Sequence, residues 1–206
     1  MSPTTENLNA ISLDTLREIG NIGAGNAMTA LAAMLDQTVA MSVPQVGLVS
    51  LSQFTQMAGG PEALSVGIYM PVMGAAPGHV AFLLPETDAL RLADRLLGRS
   101  LGTTAALEEL ERSALMEVGN IMASSYLVAL CELTGLSLAV APPALAMDMT
   151  AAILSTIAST FASAEDRAIT IVTRLQEERG VLDGFFIYVP EPGSHAALLD
   201  ALRMDG

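Results

Sequence analysis

Glu18 and Asn21 stand three residues apart in this sequence, and so do Glu117 and Asn120. On a helix of 3.6 residues per turn that spacing puts a carboxylate and a carboxamide on one face, about one turn apart. A carboxamide donates and accepts at once, so it can hold a water with one atom while touching a second group with the other. A carboxylate beside it can pair with a cation and fix a docking register. Presented outward, the two are tools for use on a partner molecule.

The pairs belong to a longer duplication. Leu13–Pro44 and Arg112–Pro143 align at a constant offset of 99 residues, matching Glu18 with Glu117, Asn21 with Asn120 and Pro44 with Pro143. Gly20/Gly119, Ile22/Ile121, Ala24/Ala123, Ala30/Ala129 and Leu31/Leu130 fall on the same offset. A repeat of this kind sets the architecture before anything else is read.

Each copy predicts a long amphipathic helix. Advancing about 100° per residue, Asp14, Glu18, Asn21 and Gly25 fall within an arc of about 60°. Leu16, Ile19, Ala27, Ala30, Leu31 and Met34 fall opposite. In the second copy Ser113, Glu117, Asn120 and Ser124 form the polar line. Leu115, Val118, Met122, Tyr126, Ala129, Leu130 and Leu133 form the buried one. A lone Glu and Asn at this spacing would be read as a solvated face. Against that, Gly-Asn recurs mid-helix, where Gly costs up to about 1 kcal/mol relative to Ala. The line also runs on into the small residues Gly25 and Ser124, which leaves room for another surface.

A chain of 206 residues suffices for one large domain or two halves sharing a core. The expectation is a single domain over 1–206, made of repeats at about 12–100 and 105–206 joined by the short bridge Gly102-Thr103-Thr104. With 51% hydrophobic and 4% aromatic residues, the core should be aliphatic, the twelve Met filling it. The apolar runs are broken by Pro and Gly or diluted by Ser, Thr and Asn, so no membrane span is expected, and the N-terminus lacks signal-peptide character. The single cysteine, Cys131, excludes an intramolecular disulfide and has no neighbouring cation in sequence to activate it. These features place the protein in the cytoplasm. A net charge of −13 with no basic cluster argues against nucleic acid.

Along the chain, Ser12 is expected to cap the first helix, which should end near Asp36. A strand follows at 39–51, confined to an edge by Pro44, then a short helix at 52–57. Strands at 64–73 and 79–84 form a hairpin, and a helix at 86–97 starts at Pro85. The second half repeats the order: helix 105–134 stopping at Gly135, strand 136–147, helix 149–159, strands 168–176 and 181–189, helix 194–203. Asp148 is expected to cap the helix after it. The fold class is α+β: an internal duplication with pseudo-two-fold symmetry, a mainly antiparallel sheet, and two long helices carrying the sites.

Other motifs carry little. Asn21–Asn26 (NIGAGN) lacks the third glycine of a dinucleotide loop and the lysine of a P-loop, so its glycines are read as packing and clearance. His79 and His195 lack partners at metal-ligand spacing and are read as surface or turn histidines. No Gly-x-Ser-x-Gly elbow is present.

One constellation remains: a small polar residue, three residues, Glu, two residues, Asn, twenty-two residues, Pro. It occurs as Asp14, Glu18, Asn21, Pro44 and as Ser113, Glu117, Asn120, Pro143. It resembles the CheC/CheX/FliY family of chemotaxis phosphatases, and the two-site CheC type within it, over nearly the whole chain. No further domain follows residue 206, so the flagellar-switch module of FliY proteins is not expected. The resemblance implies dephosphorylation of the response regulator CheY. Asn21 and Asn120 would orient the attacking water, and Glu18 and Glu117 would engage the receiver's active-site lysine. The receiver would carry the aspartyl phosphate and Mg²⁺, leaving this chain without a cofactor or metal of its own. Asp14 and Ser113 would tune docking or stabilise the helix start, and Pro44 and Pro143 would shape the neighbouring strand rather than touch substrate. In the family CheC binds the deamidase CheD, which makes CheD a second candidate partner. Asp14 adds a negative charge facing an acidic receiver pocket, which favours the second site as the more active. Two other readings stand beside this one: a non-catalytic adaptor binding the regulator or CheD through the same helices, and a small-molecule sensor using the Gly-rich turns.

Overall fold

The computed structural model describes residues 10–35, 40–159, 167–177, 180–191, 193–194, 197–198 and 200–201. The first half runs α1 (Ala10–Leu35), β1 (Ala40–Ser50), α2 (Leu51–Met57), β2 (Leu64–Gly74), β3 (Gly78–Pro85) and α3 (Glu86–Leu96). The second runs α4 (Glu109–Thr134), β4 (Leu138–Val140), β5 (Ala144–Met149), α5 (Thr150–Ser159), β6 (Arg167–Glu177) and β7 (Gly180–Pro190).

Among the described residues, all seven strands join one antiparallel sheet in the order β1-β6-β7-β3-β2-β4, with β5 also on β2. Each half lends its first strand to the other: β1 pairs with β6, and β4 and β5 pair with β2. The two halves meet where β3 lies against β7, with Phe82 opposite Phe186.

The prolines mark equivalent irregularities. Pro44 lies where the β1–β6 register shifts between Ser42 and Gln45. Pro143 lies between β4 and β5, where three steps along β2 (Val72 to Tyr69) face four along its partner (Val140 to Ala144). A proline gives the ladder no N–H, so pairing slips at an edge strand. The strand expected over 136–147 is therefore two strands, because Pro142 and Pro143 are consecutive.

Period-two alternation sends Val80, Phe82 and Leu84 to one face of the sheet, under α1, α3 and α4. Ala81 and Leu83 point to the other face, where Phe54 of α2 and Ile153, Leu154 and Ile157 of α5 cover them. The helix stripes follow the 3.6-residue period with two exceptions in α1. Leu16, Ile19, Ala27 and Leu31 are buried, but Ala30 and Met34 are exposed at the outer edge of the stripe. Several methionines also depart from a filling role, Met73, Met147 and Met149 being exposed on β2 and β5.

Other boundaries moved for local reasons. α1 is already helical at Ala10, so Ser12 lies inside it rather than capping it. α4 begins at Glu109, not 105, because the buried Asp94 carboxylate accepts from the amides of Gly102 (2.6 Å), Thr103 (3.2 Å) and Thr104 (2.8 Å). That grip holds the bridge as a turn. The Glu111 side chain then accepts from the Glu108 amide at 3.0 Å and from Arg99 at 2.6 Å, which fixes the helix start. The α4 end at left-handed Gly135 agrees with the sequence. Asp148 accepts from the adjoining Met149 amide at 2.7 Å and precedes α5 by two residues, so it is not that helix's cap. Thr150 starts α5 instead, its hydroxyl bonded to Ser65 at 2.7 Å. The expected helix at 194–203 lies partly outside the described residues. α4 has the length and hydropathy of a membrane-crossing helix, but half of its apolar window is packed inside the protein.

Candidate functional site

Gly20 and Gly119 set both sites. A Cβ on Gly119 would stand 2.4 Å from Ile68 Cγ2, and one on Gly20 would stand 3.0 Å from Val43 Cγ1. Both glycines are buried on the sheet side of their helices. They seat each helix on a strand directly beside the Asn that follows.

With the helices seated, Asp14, Glu18 and Asn21 are exposed along α1. Ser113 and Glu117 are exposed along α4, and Asn120 is half-buried. Among the described residues, nothing bonds the side chains of Glu18, Asn21, Glu117 or Asn120. The two helices also pack on each other. Gly23 leaves room for Tyr126, whose ring carbon Cδ1 would meet a Cβ there at 2.2 Å. The Tyr126 hydroxyl bonds Thr173 at 2.7 Å, and burial pushes its pKa up to about 12. Gly25 faces open space. The reading of the NIGAGN glycines as packing and clearance therefore holds.

The sites differ in their flanks. At the first, Arg17 Nη1 donates to Asp14 Oδ1 at 3.0 Å. Arg17, Asn21, Val43, Gln45 and Val46 line a polar cleft of about 210 Å³ between α1 and β1. At the second, Met116 stands where the first has Arg17, and Ala144 where it has Gln45. Arg112, with no counterpart in the first copy, donates to the Leu145 carbonyl at 2.7 Å and ties α4 to β5. Arg17 and Gln45 were missed from sequence. Arg17 lies one turn before Asn21 and was within reach of the angular count. Gln45 was not, since only the fold brings β1 beside that turn.

Pro44 lies in the edge strand β1 and Pro143 in the break between β4 and β5, each where the ladder shifts, and Pro143 is half-buried. His79 is not a surface residue. It is 7% exposed on β3, its Nδ1 bonded to the Tyr69 hydroxyl and its Nε2 3.7 Å from Glu191 Oε1. Burial pushes its pKa down, against the opposing pull of Glu191. His195 lies outside the described residues. Among the described residues, no three His, Cys, Asp or Glu stand close enough to hold a metal.

The CheC-like family profile matches residues 11–48 and 110–147, the two segments that carry these helices and their prolines. The chain is 32% identical over 194 residues to the CheY-P phosphatase CheC of Bacillus subtilis (strain 168), covering 92% of this chain and 93% of that protein. In fold it is similar to the crystal structure of FliY from Thermotoga maritima, with a TM-score of 0.76, 20% identity and all of both chains covered. It is also similar to a chain in the CheX–CheY–BeF3–Mg²⁺ complex from Borrelia burgdorferi, with a TM-score of 0.51 and 16% identity, covering 90% of this chain and 99% of that one. A duplicated Glu/Asn helix, the same proline at each strand slip and an alignment running nearly end to end with CheC make this protein a member of the CheC-like family.

Proposed function

We propose that this protein is a phosphatase of the response regulator CheY, hydrolysing the aspartyl phosphate of the receiver in the cytoplasm. Either helix would dock over the receiver's active site. Asn21 or Asn120 would hold the attacking water in line, and Glu18 or Glu117 would pair with the receiver's lysine. Water adds to phosphorus as the bond to the aspartate oxygen breaks. The electron pair leaves with the carboxylate, and the protons leave with phosphate. Such transfers pass through a loose state in which catalysis is mostly positioning. A carboxamide that donates and accepts suits that task without being a strong base. Mg²⁺, which neutralises phosphoryl charge, belongs on the receiver. The two repeats would act as one domain, since each completes the other's sheet.

The observation that carries this reading is the accessible Glu/Asn pair presented twice, each on a helix seated by a buried glycine. The test is phosphate release from phosphorylated CheY with Mg²⁺. Asn21→Ala with Asn120→Ala should reduce the rate to that of the receiver alone while leaving the fold intact. Full activity in that double variant would refute the mechanism. Wild-type protein that binds the receiver without accelerating hydrolysis would instead establish an adaptor.

A further inference from the structure

We propose that the cleft between α1 and β1 takes phosphoryl oxygens of the substrate, with Arg17 as a catalytic cation that the second site lacks. This rests on the proposed phosphatase activity and concerns only how the first site achieves it.

Three of the residues lining the cleft, Arg17, Asn21 and Gln45, carry side-chain N–H donors that an oxyanion can accept from, the guanidinium having no acceptor and each carboxamide an NH2 beside its oxygen. Its volume of about 210 Å³ is several times the ~30 Å³ that a water occupies in the liquid. A tetrahedral group and one attacking water fit together. Asn21 is both the residue proposed to hold that water and a wall of the cleft, so a phosphoryl group within its reach lies at the cleft mouth.

Arg17 is poised rather than locked. Its ion pair with Asp14 is exposed on both sides, at 65% and 73%. Such exposed pairs hold their partners only weakly against solvent. The planar guanidinium has five donors, so it can keep Asp14 on one nitrogen and present others to a dianion. Asp14 is thereby a positioning residue, and its charge does not reach the receiver uncompensated. That contact removes the reason for favouring the second site. There, Met116 and Ala144 supply no donor to a phosphoryl oxygen.

As water bonds to phosphorus and the bond to the aspartate oxygen breaks, charge spreads over the phosphoryl oxygens. A cation aimed at them lowers the barrier more than it strengthens ground-state binding. The first site should therefore turn over faster than the second.

The experiment uses full-length protein with one site silenced. In an Asn120→Ala background, Arg17→Met should lower kcat at least about tenfold with little change in KM, and Arg17→Lys should restore part of it. In an Asn21→Ala background, Met116→Arg should raise kcat. Inorganic phosphate is the second probe. If Arg17→Met leaves kcat unchanged but weakens inhibition by phosphate, the cleft holds only released product and the catalytic role is refuted. If it changes only KM and its salt dependence, Arg17 merely attracts an acidic receiver and the role is equally refuted. The Asn21→Ala, Asn120→Ala variant separates the two proposals. Its inactivity beside an indifferent Arg17→Met overturns this inference alone, and its full activity overturns the phosphatase mechanism beneath it.

Discussion

Gly119 and Ile68 are in contact with no room to spare: a methyl on the glycine would lie 2.4 Å from the isoleucine's Cγ2 and 2.9 Å from its Cβ. Ile68 is fully buried in β2, and its β-branched side chain has little rotamer freedom. The approach of α4 to the sheet beside Asn120 is thus set by the absence of one carbon atom.

Gly119→Ala should destabilise the protein by about 1–3 kcal/mol, the usual cost of overpacking. The gain in helix propensity, up to about 1 kcal/mol, offsets part of that. In a chain of this size thermal unfolding should fall by roughly 2–4 °C per kcal/mol. Gly20→Ala meets Val43 at 3.0 Å, and Val43 is only half-buried on the edge strand. That variant should sit near wild-type stability. An unchanged melting temperature for Gly119→Ala would show that α4 can lift from the sheet freely.

Glu18 and Glu117 are exposed and, among the described residues, unpaired, so neither should matter to stability. Glu18→Gln with Glu117→Gln should raise KM for phosphorylated CheY by roughly tenfold, as expected for loss of a charge-assisted pair across an interface. The effect of kcat should be small and the salt dependence of KM should weaken. Dephosphorylation kinetics at two ionic strengths measure both.

His79 makes stability depend on pH near neutrality. Burial lowers its folded pKa below the ordinary value of 6.5. The folded state therefore resists protonation more than the unfolded chain does, and its contribution is fully present above pH 6.5. It is lost as pH falls from there through the depressed folded pKa. Denaturant unfolding at pH 7.5 and pH 5.5 should show wild type weaker at the lower pH. His79→Gln should be less stable at pH 7.5, having lost a buried partner of Tyr69, but should show a smaller drop between the two.

Much of this fold is legible in the chain because local rules and the duplication agree. The 3.6-residue stripe gives the inward faces of α1 and α4 from Leu16 and Leu115 onward, and it gives the outward line of Glu18, Asn21, Glu117 and Asn120. The edge placement of β1 follows from a proline that cannot donate to a ladder. Where local rules erred, a distant group had intervened. Asp94 holds the amides of Gly102 and Thr104 in a turn just ahead of 105, and the helix starts four residues later. His79 looked like a turn residue but is enclosed by Tyr69 and Glu191, ten residues back and far ahead in the chain.

The amino-acid order by itself determined which residues could serve as paired tools and that there are two sets of them, because spacing on a helix is a local property. Only tertiary structure decided that β1 and the β4–β5 pair cross to opposite halves, that the glycines before each Asn are pressed onto strands, and that Gln45 comes beside Arg17 and Asn21. Those facts depend on which strands exchange partners, and pairing is governed by the burial of whole faces at once rather than by any short stretch of sequence.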